Sequence, residues 1–228
     1  MFDVQGTATD FHSTVCGEAQ RISAGRHPGV DWAEMVRRWR ASYFTVLEAA
    51  QGRGGGWVSG RSVYRDALDA VLDELGITGF SSAEREELTL AWQRLKPWPD
   101  VVPGLTRLKG SYTLATLSNA DVSAVVDISK RAGLPWDAIF AAEMAGVFKP
   151  DPAIYRMAAT YLGLEPAEIM MVASHKYDIR AAGRLGFATA FVARPLEFGA
   201  DGQADVAYSD EFDVNASDFL DLAGQLGC

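Results

Sequence analysis

Apolar positions along the chain follow two different periods. Through residues 11–96 they recur every three or four positions, as on one face of an amphipathic helix. The spans 31–50 and 63–75 show this most clearly, and Ser81 or Ser82 is a suitable N-cap for a third helix. No strand pattern stands out here, so we predict a helical region. The glycine-rich stretch 52–56 is the one place where composition indicates disorder.

After Pro97 the pattern changes to short apolar runs that alternate with helical periods. Residues 1–4 resemble the end of a buried strand. Such alternation is typical of a parallel sheet with helices on both faces. We therefore predict an α/β fold with a Rossmann-like, doubly wound parallel sheet core (residues 1–10 and 96–228) and an inserted helical cap (residues 11–95). Further strands are predicted at 112–117, 138–142, 169–173, 188–192 and 204–208, and helices at 122–132, 152–162, 179–185 and 216–226.

Charge and cysteine usage narrow the classes of partner. The 228 residues carry a formal net charge of -9, which disfavours binding to nucleic acid and to anionic membranes. A small anionic substrate would then need a local cationic pocket. Cys16 and Cys228 have no metal-ligand spacing and are expected to be free thiols. The first residues show no signal-peptide pattern and no apolar run reaches membrane-spanning length, so we expect a cytoplasmic protein.

Polar side chains follow four of the predicted strands. Ligands of open parallel sheets bind beyond the carboxyl ends of the strands, which meet at one edge. We therefore expect these side chains to face one another. They are Asp3, Gln5 and Thr7 after the first strand, Ser118, Asn119 and Asp121 after the second, Lys149 after the third, and Ser174, His175, Lys176 and Asp178 after the fourth.

Three residue types in this set, aspartate, lysine and histidine, can take part in catalysis when they lie close together. Asp3 is either a turn-forming residue or a carboxylate nucleophile, and its position opposite the other groups favours the nucleophile. Lys149 is either exposed or a cation that keeps Asp3 ionised. His175 is either structural or, paired with Asp178 three residues on, the group that activates water. Asp178 alone also suits a helix N-terminus.

Further candidates lie beside this set. Ser118 and Asn119 either cap the following helix or donate to the substrate. Arg40 lies at the edge of an apolar helix face, so it is either an interfacial arginine or a guanidinium that binds a carboxylate. Tyr155 either packs in the core or directs its hydroxyl into the site.

The order of motifs resembles the haloacid dehalogenase superfamily over essentially the whole chain. The motifs are Asp-x-x-Gly-Thr at 3–7, Ser-Asn at 118–119, Lys-Pro at 149–150 and Val-Ala-Ser-His-Lys-Tyr-Asp at 172–178. Phosphatases of this type have acidic residues where this chain has Gln5 and Ser174, which disfavours that branch and its magnesium site. L-2-haloacid dehalogenases share the helical cap, the cap arginine and metal-independent displacement by aspartate, but normally have an aromatic residue at the position of Gln5.

The motifs of this chain are more similar to those of a third branch of the superfamily than to those of the first two. Phe-Asp-Val-Gln-Gly-Thr at 2–7, Trp-Arg at 39–40, Val-Tyr-Arg-Asp at 63–66 and Pro-Trp-Pro-Asp at 97–100 resemble the cis-epoxysuccinate hydrolases that form L(+)-tartrate. The resemblance implies that Asp3 is the nucleophile and that His175 with Asp178 drives hydrolysis. It also implies that Arg40 and Lys149 hold the substrate. The contact residues that complete the predicted site are Thr7, Gln5, Ser118, Asn119 and Tyr155.

The expected reaction is the metal-independent opening of an epoxide in a small dicarboxylate, without a cofactor. Asp3 attacks a ring carbon, an ester forms, and water activated by His175 releases the diol. Lys149 and Tyr155 are both candidates for protonating the epoxide oxygen. Hydrolysis of short 2-halocarboxylates is the alternative, and a binding module without turnover is a third class. The resemblance is also compatible with a homodimer.

Overall fold

Parallel strands run through the centre of the protein, whose structure is a computed structural model that describes residues 1–52 and 57–228. The predicted disorder in the glycine-rich stretch therefore falls almost wholly outside the described residues. One half of the sheet pairs β3 (Ala115–Ser118) with β4 (Ala138–Ala141). The other half pairs β5 (Met170–Ala173) with β6 (Ala188–Val192), and β6 with β7 (Val214–Ala216).

The N-terminal segment, residues 1–4, joins the two halves. The amide of Phe2 donates to the carbonyl of Ala115 at 2.8 Å, and the amide of Asp3 donates to the carbonyl of Val172 at 2.9 Å. Both bridges are parallel. The spatial order is therefore β4, β3, N-terminal segment, β5, β6, β7. Asp3 lies at the carboxyl end of the central position in this sheet, as the predicted buried strand requires.

Helices cover the sheet on both sides of this central position. The predicted α/β fold with a parallel sheet is confirmed. No described helix is long and apolar enough to cross a bilayer. The helices after the first hundred residues are α5 (Val101–Lys109), α6 (Val122–Ala132), α7 (Ala142–Ala145), α8 (Pro152–Leu162), α9 (Lys176–Gly183) and α10 (Phe219–Gln225), with a 3₁₀ turn at Pro166–Glu168.

One prediction about this half of the chain was wrong, and one helix was not predicted. The strand predicted at 204–208 is absent, because its apolar side chains Val206 and Tyr208 are exposed and cover no core. The last strand is β7 instead. Helix α5 was missed, since its Pro103 and Gly104 suggest a break. Pro103 lies in the first turn, where its missing N–H is not needed. A Cβ at Gly104 would lie only 2.6 Å from an atom of Phe219, so α5 and α10 can pack closely only with glycine there.

The helical region, residues 11–95, departs from the sheet after the N-terminal segment and returns to it before α5. Its helices are α1 (Phe11–Ser23), α2 (Trp32–Gly52), α3 (Gly60–Glu74) and α4 (Ser82–Thr89), and a 3₁₀ turn follows at Leu90–Gln93. Ser81 caps α4 through a capping box with Glu84, as its position predicted. A two-residue antiparallel ladder, β1 (Thr9–Asp10) with β2 (Lys96–Pro97), joins the two ends of the region. That ladder was not predicted.

One carboxylate connects the helical region to the sheet. Asp121 precedes α6 but does not cap it with its side chain. Its two oxygens instead accept from the backbone amides of Gly60 and Arg61 at 2.7 and 2.9 Å, at the start of α3. Helix N-terminal amides lack partners within the helix and favour a negative charge. Asp121 therefore holds the start of α3 against the carboxyl edge of the sheet.

Asp121→Ala should lower the free energy of unfolding by about 1 kcal/mol, because two amides at the start of α3, that of Gly60 buried and that of Arg61 partly buried, lose their acceptor. Urea denaturation followed by circular dichroism measures this change. Asp127→Ala is the matched control, since Asp127 is an exposed residue of the adjoining helix α6. Equal stability of the two variants would contradict the prediction.

Candidate active site

A small cavity lies at the carboxyl edge of the sheet, beneath helix α2. Its volume is about 10 Å³, which is room for about one water molecule. A larger substrate therefore requires the helical region, or the side chains of α2, to move. The lining residues are Asp3, Gln5, Arg40, Tyr43, Phe44, Ser118, Asn119, Lys149, His175 and Tyr177.

Asp3 is a buried carboxylate with donors on both oxygens. Lys149 Nζ donates to Oδ1 at 2.8 Å, and Thr7 Oγ1 donates to Oδ2 at 2.7 Å. The amide of Ser174 in turn donates to Thr7 Oγ1 at 2.9 Å. Burial alone would raise the pKa of Asp3, but Lys149 and His175 outweigh it and hold that pKa well below its ordinary value. Asp3 is therefore ionised at neutral pH, as a nucleophile must be.

Lys149 is buried, so the exposed alternative considered for this residue does not apply. Its ammonium lies between the carboxylates of Asp3 and Asp178. Burial opposes its charge, yet these two carboxylates outweigh burial and raise the pKa of Lys149. The side-chain amide of Asn119 fixes the loop that carries it. The Lys149 amide donates to Asn119 Oδ1 at 2.7 Å, and Asn119 Nδ2 donates to the Lys149 carbonyl at 3.2 Å.

Asp178 faces Lys149 and Tyr155 rather than His175. The hydroxyl of Tyr155 donates to Asp178 Oδ1 at 2.5 Å, and the Lys149 ammonium donates to Oδ2. Burial raises the pKa of Asp178, against the effect of Lys149. The predicted His175–Asp178 pair is therefore not formed. His175 precedes α9 in an extended conformation, so the three-residue spacing that brings side chains together within a helix does not apply to it.

The acidic partner of His175 is Glu197. His175 Nε2 lies 2.7 Å from Glu197 Oε1, and Nδ1 lies 3.2 Å from Asp3 Oδ2. Burial lowers the pKa of His175, but Glu197 and Asp3 outweigh burial and raise that pKa to about 10. The imidazole is therefore protonated at neutral pH and lies between two carboxylates.

Glu197 was missed in the sequence, although one available signal indicates it. The strand β6 ends at Val192, and Glu197 follows that carboxyl end as the other candidates follow theirs. Gly6 makes room for the Glu197–His175 pair. A Cβ on Gly6 would lie 2.5 Å from Glu197 Oε1 and 3.2 Å from His175 Cε1, and its φ of +94° also favours glycine.

The loop that follows the N-terminal segment is fixed by side chains that do not line the cavity. The Trp98 indole donates to the Gly6 carbonyl at 2.9 Å, and Arg194 Nε donates to the Thr7 carbonyl at 2.8 Å. Arg194 also forms a bidentate pair with Asp100, at 2.9 and 2.8 Å. A bidentate guanidinium–carboxylate pair fixes orientation as well as distance. The backbone that presents Asp3 is therefore fixed by contacts distant in sequence.

Arg40 reaches the cavity from α2. It donates to the Tyr64 hydroxyl at 2.6 Å, and that hydroxyl donates to Gln5 Oε1 at 3.0 Å. No carboxylate among the described residues forms a salt bridge with Arg40, although its side chain is buried. Its charge is therefore available to an anion. Four aromatic rings surround the guanidinium with centroids 4.9 to 5.8 Å from Cζ: Phe11, Tyr43, Phe44 and Trp92.

The structure brings the predicted site residues together in two layers. Seven line the cavity, and three support them from behind. Ser118 belongs to the lining and is not the helix cap considered for it, because the residue that precedes α6 is Asp121. Within residues 1–52 and 57–228, no group of three His, Cys, Asp or Glu side chains is arranged to hold a metal ion. The lining set is Asp3, Gln5, Arg40, Ser118, Asn119, Lys149 and His175, and the supporting set is Thr7, Tyr155 and Asp178.

Comparison with known proteins shows the family. Residues 1–186 match the model of the haloacid dehalogenase-like hydrolases, and the chain belongs to this family. An (S)-2-haloacid dehalogenase of Xanthobacter autotrophicus is 32% identical over 196 residues, covering 85% of this chain and 74% of that protein. One from Pseudomonas sp. (strain YL) is 31% identical over 196 residues, covering 85% of this chain and 81% of that protein.

Two solved structures extend this similarity to nearly the full length. The L-2-haloacid dehalogenase PA0810 is 38% identical with a TM-score of 0.92, covering 99% of this chain and 97% of that one. The defluorinating L-2-haloacid dehalogenase Rha0230 is 39% identical with a TM-score of 0.93, covering 100% of this chain and 94% of that one. These proteins are named for carbon–halogen substrates. They favour the dehalogenase alternative and give no support to the finer resemblance to epoxysuccinate hydrolases.

The protonated His175 should make stability depend on pH. Its pKa is raised from 6.5 to about 10 in the folded protein, so its contribution is complete below pH 6.5 and is lost as the pH rises through 10. Between these values the free energy of unfolding of the native protein should fall relative to that of His175→Gln, with a slope approaching about 1.4 kcal/mol per pH unit. Urea denaturation of both proteins from pH 6 to 10 measures this difference. Parallel pH profiles would show that His175 is not held in its protonated form.

Proposed function

We propose that this protein hydrolyses short 2-halocarboxylates through a covalent ester on Asp3. The observation that carries the proposal is the ionised, buried carboxylate of Asp3, which faces a guanidinium across a small cavity, and this guanidinium has no carboxylate partner within the described residues. The nucleophile and the anion-binding group are then on opposite sides of the substrate. The relatives named as L-2-haloacid dehalogenases support the carbon–halogen bond as the one that is cleaved.

The first step is a displacement at C2 of the substrate. A carboxylate oxygen of Asp3 forms a bond to C2, and the carbon–halogen bond breaks with its electron pair going to the halide. Lys149 and Thr7 fix the direction of attack by holding the carboxylate on both sides. Arg40 lies where negative charge develops on the departing halide, in a site from which water is largely excluded.

The second step is hydrolysis of the ester. Esterification removes the negative charge of Asp3, which is one of the two charges that raise the pKa of His175. The imidazolium can then lose its proton to solvent, and the neutral imidazole takes a proton from the attacking water, while Glu197 stabilises the imidazolium that results. The water oxygen attacks the carboxyl carbon of Asp3. The imidazolium gives its proton to the departing C2 oxygen, which releases the 2-hydroxycarboxylate. The remaining water proton passes from the Asp3 carboxyl to His175, which restores the carboxylate and the imidazolium.

We also propose that the helical region, residues 11–95, acts as a cap on a core of residues 1–10 and 96–228. The cavity is too small for a halocarboxylate as it stands. The β1–β2 ladder is the connection about which such a cap would open. Residues that line the cavity come from both parts, so closure completes the site and excludes water during the displacement.

Opening of cis-epoxysuccinate is the second candidate. The observation that favours it is that Arg40 and Gln5, which Tyr64 holds together, both line the cavity, because N–H donors such as theirs suit an oxygen that becomes negative. One observation favours the halocarboxylate. A dicarboxylate needs two cations, and the ammonium of Lys149 is already neutralised by Asp3 and Asp178.

An assay of purified protein on L-2-chloropropionate and on cis-epoxysuccinate tests the proposal. Ion chromatography measures chloride, and liquid chromatography measures tartrate. We expect chloride release without tartrate. Tartrate release without chloride would overturn the proposal in favour of the second candidate, and release of neither would overturn both.

Asp3→Asn should reduce turnover by at least about 10⁴-fold, because an uncharged amide cannot form the ester. Steady-state halide release measures the loss. Asp127→Asn, an exposed change on α6, is the control and should retain wild-type activity. Retained activity in Asp3→Asn would exclude a covalent role for this residue.

Glu197→Gln should slow hydrolysis of the ester by about 10²-fold or more, because the imidazolium formed during water activation loses its charged partner. Ester formation should be affected less. Mass spectrometry of the intact protein after mixing with L-2-chloropropionate should then show the ester accumulating. Glu48→Gln, an exposed change on α2, should show no accumulation. Unchanged rates of both steps in Glu197→Gln would contradict this role.

A further inference from the structure

The Tyr43 hydroxyl is a buried polar group that the contacts described above do not use. The side chain is 1% exposed and lines the same cavity as Asp3. Within the part of the chain that the structure describes, the hydroxyl has no hydrogen-bond partner. Buried hydroxyls are nearly always hydrogen-bonded, because an unpaired one costs free energy. A group of this kind in a site indicates a ligand atom as its partner.

The ring of Tyr43 is held in place, so its hydroxyl has a defined position. The ring stacks on Tyr64 with centroids 4.3 Å apart, and Arg40 Cζ lies 5.4 Å from the Tyr43 centroid. Arg40 and Tyr43 are one turn apart on α2 and therefore share a face of that helix. The Tyr64 hydroxyl is already bonded to Arg40 and Gln5, whereas that of Tyr43 is not. Both rings take part in the stack, but only the Tyr64 hydroxyl takes part in the hydrogen bonds with Arg40 and Gln5.

The geometry of displacement indicates which substrate atom this hydroxyl meets. In an in-line displacement, the leaving atom departs on the side opposite the nucleophile. Asp3 approaches from the sheet, while Arg40 and Tyr43 approach from α2 on the other side of the cavity. The leaving atom therefore faces the guanidinium of Arg40 and the hydroxyl of Tyr43.

We infer that the Tyr43 hydroxyl donates a hydrogen bond to the leaving atom, and that this donor suits the site to leaving atoms that accept hydrogen bonds strongly once they carry negative charge, namely fluoride and the alkoxide oxygen of an opening epoxide. The inference rests on the proposed displacement by Asp3. Chloride and bromide accept weaker hydrogen bonds and leave more readily, so they gain less from this donor. Tyr43 thereby acts as a determinant of leaving-group specificity.

The step balances without proton transfer from Tyr43. With a 2-fluorocarboxylate, the bond from Asp3 to C2 forms, and the carbon–fluorine bond breaks with its electron pair going to fluoride. Fluoride then accepts hydrogen bonds from the hydroxyl and from the guanidinium of Arg40. Burial raises the pKa of Tyr43 well above its ordinary value, which keeps the hydroxyl a neutral donor.

Tyr43→Phe tests the inference by removing one oxygen and keeping the ring. Single-turnover halide release is measured for 2-fluoro-, 2-chloro- and 2-bromopropionate, so that slow product release does not mask the bond-breaking step. We expect fluoride release to fall at least about tenfold more than bromide release. Thermal unfolding should occur at the same or a higher temperature, since the change removes an unpaired polar group. Tyr112→Phe, which alters an exposed tyrosine outside the cavity, should leave all three rates unchanged.

The other possible results of these experiments would overturn the inference, or the inference together with the proposed function. Equal losses for the three halides, or no loss, would overturn the inference and leave the proposed function standing. A wild-type protein that releases chloride and bromide but no fluoride would also overturn it. If the wild type instead opens only cis-epoxysuccinate, the same variant should lose at least about tenfold in ring opening, and an undiminished rate would overturn the inference. A wild type that turns over none of these substrates would overturn the proposed function and this inference together.

Discussion

The ammonium of Lys149 is the charge on which the rest of the site depends. It lies between the buried carboxylates of Asp3 and Asp178, which could not both remain ionised at this depth without it. Removal of one member of a buried group of charges leaves the others without a partner and lowers stability by about 3–5 kcal/mol. Asn119 fixes the lysine backbone, and Tyr155 and Thr7 occupy the outer oxygens of the two acids. The arrangement keeps the carboxylate of Asp3 charged and oriented inside an acidic protein, as the role proposed for it requires.

The sheet and the helical region supply opposite walls of one cavity. Because the N-terminal segment pairs with strands on both sides, Asp3 reaches the centre of the carboxyl edge, where the loops after β3, β5 and β6 converge. The helical region contributes a guanidinium enclosed by aromatic rings and held by a tyrosine hydroxyl. Membership of the haloacid dehalogenase-like hydrolases agrees with this division. The cavity therefore lies between a fixed carboxylate and a cationic wall, which is the arrangement that the proposed displacement requires.

Prediction from the sequence succeeded where local signals were strong. Helices α6 and α8 have the predicted bounds, because each is periodic and ends at a glycine in the left-handed conformation. Prediction failed where the burial of a segment determines whether it forms a strand. The apolar residues at 204–208 imitate a strand but are exposed, and the last strand forms at Val214–Ala216 instead. The His175–Asp178 pair failed for a related reason, since spacing along the chain does not determine where a side chain before a helix points.

The sequence by itself determined the α/β class, the helical insertion and the residues that follow each strand, because periodicity and turn residues act over a few positions. Only the tertiary structure decided between the alternatives for these residues, including that of Lys149 beside Asp3, and showed the pairs that were not predicted. Lys149 meets Asp3 across 146 positions, Tyr64 meets Gln5 across 59, and His175 meets Glu197 across 22. Such pairs depend on the packing of separate elements and on the absence of a side chain at Gly6. Local pattern carries no information about that packing, so the candidate residues Asp3 and Lys149 could be predicted, whereas Glu197, the partner of His175, could not.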